Sequence, residues 1–240
     1  MAIENKKILT DKFSYLTDIS DQSNSIVLAT LSSQLSFWGT LSEVQIGILK
    51  CYAPIALDQS NNTQDMIISL RRTHNYLNSH YSMIFLYNLS RLICVSEPPT
   101  SARNQLCDKL YLLNRMCNGL DLYYGFVMPE HFLIGHGLGT VFSRAEYGEY
   151  LVVYQNVTIG VQKGEYPKIG ERVIIYGNCF IAGRCVIGAN CVIGAGTKLI
   201  NKTIAPNTIV YEKNGILQTK ENCNQEILNY FELSNCSYPT

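Results

Sequence analysis

The sequence predicts an α+β protein: an N-terminal helical domain, then a parallel β-helix, then a short C-terminal tail. Two observations carry this. Before residue 119 apolar residues recur at three- and four-residue spacing, as on one face of a helix. After residue 120 the period becomes six. No 3.6-residue stripe fits "IAGRCVIGANCVIGAGT" (181–197), so that stretch is not helical. The expected domain limits are 1–119, 120–212 and 213–240.

In the first domain, "TQDMIISLRRTHNYLNSHYSMIFLYNLSRLICV" (63–95) and "SARNQLCDKLYLLNRMCNG" (101–119) are expected to form amphipathic helices. "SEPPTSAR" (96–103), with its two prolines, is the loop that opens the second of them. Gly119 suits a C-terminal helix stop. The first 65 residues suggest short helices around "SIVLATLSSQLSFWG" and "VQIGILKCYAPIAL", with "DQSNNTQD" (58–65) as a break.

In the second domain, hexads from Ile169 run "IGERVI", "IYGNCF", "IAGRCV", "IGANCV", "IGAGTK" and "LINKTI". The first position is always Ile or Leu, and the fifth is a small or compact Val, Cys or Thr. Earlier hexads begin at Leu122, Met128 and Ile134, then at Val141, Tyr147 and Val153. The step from Ile134 to Val141 is one residue over, and the step from Ile159 to Ile169 is four over, so "GVQKGEYPK" holds a looped-out insertion. A period of six makes one short strand and a corner. Three such units close a triangular coil, and coils stack at about 4.8 Å, burying the first-position side chains only through their neighbours. In the tail, residues 226–233 could form a short helix that caps the open end of the solenoid.

Charge and cysteines limit the classes of function. Nineteen basic and nineteen acidic residues cancel, so no overall positive field draws in nucleic acid or anionic lipid. The N-terminus lacks the apolar core of a signal peptide, and the stretch around "YSMIFLYNLSRLICV" carries Arg91 and is too short to span a bilayer. The odd count of nine cysteines suggests reduced thiols, so a cytoplasmic location without membrane insertion is expected. Cys179, Cys185 and Cys191 recur every six residues, but at the small fifth position, where Cys is a compact filler; no metal is expected.

Four features mark a function. Asp121 opens the first coil, His136 sits in "IGHGLG", "QNVTIG" spans 155–160 and "YPKIG" spans 166–170. In these residues the chain resembles the hexapeptide-repeat acyltransferases, whose repeats form a left-handed β-helix, and among them the serine acetyltransferase branch. The resemblance covers about residues 120 to 212; the helical half shares only general character with it.

The resemblance implies that His136 is the general base that takes the proton from an acceptor hydroxyl, which then attacks the thioester of acetyl-CoA. Imidazole suits this task, because a side chain of pKa near 6.5 can accept and return a proton at neutral pH. Asp121 would hold the ring in one tautomer and stabilise the imidazolium. By themselves, His136 could be a tolerated surface residue, and Asp121 a cap on a corner amide. The resemblance also places acetyl-CoA in a groove between subunits, against Gly177, Ala195, Asn201 and Lys202; these could equally be corner residues and a solvated charge.

Two departures bear on the acceptor. Serine acetyltransferases place an Asp before the catalytic His, where Gly135 stands here, and an Arg-His pair before Pro-Lys-Ile, where Glu165-Tyr166 stands. An amino-acid zwitterion without charged partners binds poorly, whereas Tyr166 could stack on a sugar ring or merely pack on its loop. The expected activity is therefore acetyl-CoA-dependent O-acetylation of a carbohydrate hydroxyl, in a bacterial capsule or other surface polysaccharide. The alternatives are serine O-acetylation in cysteine biosynthesis and a non-catalytic β-helix scaffold or glycan-binding subunit. The family's shared groove implies a homotrimer or a dimer of trimers.

Overall fold

The computed structural model describes residues 21–71, 74–223 and 226–233. Helices come first: α1 (Asp21–Leu35), α2 (Glu43–Asp65), α3 (Ser79–Ser96) and α4 (Ser101–Asn118). Ser42 opens α2 with a capping box, its hydroxyl accepting from the Gln45 N–H while the Gln45 side chain accepts from the Ser42 N–H. Thr100 caps α4 and Gly119 ends it in the left-handed conformation, φ 65°. The prolines of 96–103 lie in the α3–α4 loop, as expected.

Two helical expectations fail. "DQSNNTQD" is no break: α2 runs through it to Asp65. Two of its polar residues are buried with partners, Ser60 donating to the Ala56 carbonyl at 2.7 Å and Thr63 to the Glu130 carbonyl at 2.9 Å. Hydrogen-bonding neighbours make polar residues compatible with a buried helical face. Conversely, residues 66–71 are not helical; Ile67 bridges Phe231 of the tail instead.

The β-helix has three parallel sheets. One holds β1 (Asp121–Leu122), β3 (Val141–Phe142), β6 (Thr158–Gly160), β9 (Phe180–Ala182) and β12 (Lys198–Ile200). The second holds β4 (Glu146–Tyr147), β7 (Lys168–Ile169), β10 (Val186–Ile187) and β13 (Thr203–Ile204). The third holds β2 (Phe132–Ile134), β5 (Leu151–Val153), β8 (Ile174–Ile175), β11 (Val192–Ile193) and β14 (Thr208–Lys213), with β15 (Ile216–Glu221) added antiparallel. Leu122, Ile134, Val153, Ile159, Ile169, Ile175, Ile181, Ile187, Ile193 and Leu199 fill the prism with the thiols of Cys179, Cys185 and Cys191. Burial pushes the Cys179 thiol up to about 11, so it stays a neutral filler.

Asparagine and glycine turn the corners. Asn156, Asn178, Asn190, Asn201 and Asn207 have φ between 53° and 63°, while Gly139 and Gly196 sit at 70° and 76°. This left-handed region costs Asn and Gly least. Asn156 donates to Asn178 and Asn190 to Asn207, so corner side chains also stitch neighbouring coils.

The register of the first coil departs from expectation. The inward residue of β3 is Phe142 rather than Val141: it is 2 % exposed and pairs with Leu122 and Ile159. The step from Ile134 to the next inward residue is thus eight, not seven. The two surplus residues over a plain hexad fall between Gly135 and Leu138, and they are His136 and Gly137. The histidine stands in a bulge that the repeat does not need.

Both ends of the prism are covered. Met83, Ile84 and Tyr87 of α3 pack into the first coil. At the other end β15 pairs with β14 and covers the edge of that strand, with Leu217 against the prism core. The expected capping helix takes another form and place. Residues 226–229 form one 3-10 turn, and Ile227 and Phe231 lie on the outer face of the third sheet, against Leu133, Val152, Ile174 and Val192. Those outward apolar residues draw the tail sideways, because a bare sheet face of this size would stay exposed to water. Ile68 and Glu232 complete the strap by backbone hydrogen bonds to Tyr230 and Met66. None of the helices among the described residues is long and apolar enough to cross a membrane.

Candidate active site

The bulge between β2 and the Gly139 corner sets His136 apart from the repeat. Its side chain is exposed, and among the described residues its ring nitrogens have no protein partner. Gly137 makes the bulge possible: a Cβ there would lie 2.4 Å from the Met83 Sδ and 2.8 Å from the Asn118 carbonyl. Only glycine lets α3 and the end of α4 come so close to the histidine loop.

Below the bulge runs a column of corner residues, each preceding a left-handed Asn or Gly. The Asn156 N–H donates to the Leu138 carbonyl, Asn178 to Gln155 and Gly196 to Gly177, at 2.9 to 3.0 Å. These bonds place Leu138, Gln155, Gly177 and Ala195 on one edge of the prism, one coil apart, with His136 beside the first. At about 4.8 Å per coil, Ala195 lies about 14 Å along the edge from Leu138. A Cβ on Gly177 would stand 3.1 Å from the Gln155 Nε2 and 3.2 Å from its carbonyl oxygen. The Gln155 Oε1 is buried with no partner among the described residues.

Asp121 lies in the same coil as His136, but the two side chains are not hydrogen-bonded to each other. The Asp121 N–H donates to the Thr140 carbonyl at 2.9 Å, tying it to the end of the histidine loop. Its Oδ1 accepts from the Tyr111 hydroxyl at 2.5 Å and its Oδ2 faces the Arg115 guanidinium at 3.6 Å. Burial, helped by the Asp121 carboxylate, pushes the Tyr111 phenol up to about 12, so it remains a donor.

The neighbour of His136 is instead His80, in the first turn of α3. The two ring centroids are 5.6 Å apart, and the His80 Nδ1 lies 3.1 Å from the Ile134 carbonyl oxygen. His80 falls in the stretch 63–95, expected from sequence only to be helical. Spacing along one helix carries no signal of a contact made across 56 residues of chain.

Tyr166, Asn201 and Lys202 lie on a different edge, between the first and second sheets. Here Gly160 and Lys168 flank the insertion, a tight hairpin closed by Gln162 and Glu165 with Lys163 and Gly164 at φ 52° and 82°. The guanidinium of Arg144 lies 4.5 Å over the Tyr166 ring, so one face of that ring is already covered. The Asn201 Oδ1 accepts from the Arg184 N–H at 2.8 Å and its Nδ2 donates to Gln162 at 3.2 Å; Lys202 is exposed. Within one chain, then, Gly177 and Ala195 share the edge of His136, while Tyr166, Asn201 and Lys202 do not.

Gly135 is closed as a binding position. A Cβ there would meet the Tyr154 ring at 3.0 Å, and that ring stacks on Tyr176, 5.3 Å between centroids.

The fold defines a class: helices followed by the stacked hexapeptide coils of a parallel β-helix. Residues 166–201 match the family described as bacterial transferase hexapeptide (six repeats). No curated protein matches the chain in sequence. Among solved structures, the chain is similar to soybean serine acetyltransferase complexed with serine, with a TM-score of 0.63 and 17 % identity over 90 % of this chain and 92 % of that one. For Neisseria gonorrhoeae serine acetyltransferase the values are 0.64 and 16 %, over 92 % and 88 %. Isoform 3 from Entamoeba histolytica, in complex with cysteine, gives 0.57 and 22 %, over 84 % and 75 %. At these identities the likeness establishes the fold, helical domain included.

Proposed function

We propose that this chain is an acetyl-CoA-dependent O-acetyltransferase with His136 as general base. The observation that carries this is the exposed histidine in a two-residue bulge at the head of the Gln155–Gly177–Ala195 edge. That edge fits the amide-bearing arm of acetyl-CoA: Gly177 puts no side chain on it, Ala195 is small and exposed, and the Gln155 Oε1 is an acceptor in want of an N–H. His136 accepts the proton of the acceptor hydroxyl as its oxygen bonds to the acetyl carbon. It returns that proton to the sulfur as the carbon–sulfur bond breaks. Asp121, tied to the histidine loop, supplies the negative charge that favours the transient imidazolium.

The acceptor best supported is L-serine. Its support is the likeness to structures named serine acetyltransferases, one of them holding serine. This reverses the order of preference expected from sequence. The carbohydrate hydroxyl stays as a second reading, favoured by Gly135, which is packed on Tyr154 and offers no carboxylate for an ammonium group. A capsule or surface-polysaccharide setting would follow only from that second reading.

Assembly follows from the two edges. Tyr166, Asn201 and Lys202 can join the His136 edge only if a second copy of the chain presents them, so a homotrimer, single or paired, completes the acetyl-CoA groove. The test is thiol release from acetyl-CoA by the purified protein with L-serine in one arm and a glycan panel in the other. Turnover abolished by His136→Asn is the expected result, and the active arm names the acceptor. Turnover unchanged in that variant sinks the general-base role of His136, and no turnover in either arm leaves a non-catalytic scaffold.

A further inference from the structure

His80 is placed by its helix. Asn78 caps α3 and accepts from the His80 backbone N–H at 2.9 Å, while the ring Nδ1 reaches the Ile134 carbonyl oxygen at 3.1 Å. A carbonyl oxygen only accepts, so Nδ1 carries the proton and Nε2 of the neutral ring presents a lone pair. Among the described residues that nitrogen has no protein partner. It stands beside the one histidine the bulge exposes, on a site where Gly135 can supply no side chain.

We propose that His80 is a specificity-determining residue of the acceptor site. Its Nε2 accepts a hydrogen bond from a donor group on the carbon next to the one whose hydroxyl His136 deprotonates. The inference rests on the O-acetyltransferase reading but not on either choice of acceptor. Two acceptor classes share the chemistry: a vicinal amino alcohol such as L-serine, through its ammonium group, and a 1,2-diol of a sugar, through its second hydroxyl. A neutral imidazole accepts from both, whereas a carboxylate at Gly135 would have favoured the ammonium. When His136 takes up the hydroxyl proton it becomes a cation. With 5.6 Å between the two ring centroids, both histidines can reach one small acceptor. The proton passes from hydroxyl to His136 to the departing sulfur, and His80 neither gains nor loses one.

The experiment measures thiol release from acetyl-CoA by the full chain and by His80→Leu and His80→Gln. Four acceptors are used: L-serine, 3-hydroxypropionate (serine without its amino group), glycerol and 1-propanol. Wild type should prefer serine over 3-hydroxypropionate, or glycerol over 1-propanol, by about 10- to 100-fold in kcat/KM, the range for one hydrogen bond to a charged or well-placed donor. The pair that shows the preference identifies the acceptor class. His80→Leu should erase it while the KM for acetyl-CoA stays within about twofold, and His80→Gln, which retains an acceptor oxygen, should restore part of it. Preference kept in His80→Leu overturns the proposal, as does an equal loss on all four acceptors. A second measurement stands apart from turnover. In 15N-histidine spectra of the chain, which has four histidines, the His80 Nε2 should be unprotonated and should move on addition of L-serine or glycerol. A protonated Nε2, or no movement with either, overturns the assignment. Absence of turnover with every acceptor counts against the O-acetyltransferase reading, while the spectra still decide the role of His80.

Discussion

The Tyr111 hydroxyl donates to the Asp121 Oδ1 at 2.5 Å, so the last turns of α4 hold the carboxylate that opens the first coil. This bond couples helix docking to the state of one phenol. The fold raises that phenol from an ordinary value of 10.0 to about 12. Its protonated form is therefore the folded form's preference. The resulting stability is fully present below pH 10 and is lost as pH rises through 10 towards 12. Tyr111→Phe should flatten the fall in stability over that window, read by chemical denaturation at stepped pH. Identical slopes for the two proteins would refute the coupling.

His136→Asn should lower thiol release by about 10²- to 10⁴-fold, the usual contribution of a general base, with the circular dichroism spectrum unchanged. The ring is exposed and its nitrogens have no protein partner among the described residues, so the fold does not depend on it.

Gly177→Val should raise the KM for acetyl-CoA with little change in kcat. A Cβ at that position meets the Gln155 amide at 3.1 Å, so a larger side chain must push Gln155 aside and crowd the edge. Isothermal titration with CoA is the direct check, and unchanged affinity would take the ligand off this edge.

Gly137→Ala tests the bulge itself. The added methyl group runs into the Met83 Sδ and the Asn118 carbonyl, so overpacking should cost about 1–3 kcal/mol and loosen α3 from the first coil. A lowered urea midpoint is the readout; an unmoved one would mean that α3 does not clamp this loop.

Phe231→Ala should destabilise by about 3–5 kcal/mol, as for other fully buried aromatic residues. Phe231 is 1 % exposed and anchors the tail on the third sheet beside Ile67 and Ile227. A loss below about 1 kcal/mol would show that the strap is dispensable.

Much of the β-helix was legible in the sequence because its repeat is local. Each Ile or Leu at the first hexad position needs only the next coil to bury it, so Ile169 to Leu199 announce their own places. The corner asparagines were an unread second signal: Asn178 and Asn190 both occupy the fourth hexad position, where the backbone is left-handed. The first coil was misread by one residue because Val141 and Phe142 are both apolar, and composition does not say which faces inward. Helix α2 was cut short in the reading because polar Ser60 and Thr63 look like a loop until their buried partners are known.

The sequence alone determined the helices at 79–96 and 101–118, the period of six, the apolar prism and the candidacy of His136, since each depends on neighbours a few residues away. Tertiary structure decided what surrounds that histidine. It put His80 beside it, turned Asp121 towards Tyr111, closed Gly135 with Tyr154 and set Tyr166, Asn201 and Lys202 on another edge. These contacts join residues far apart in the chain, and their energies arise only when the helices dock on the first coil and the coils stack.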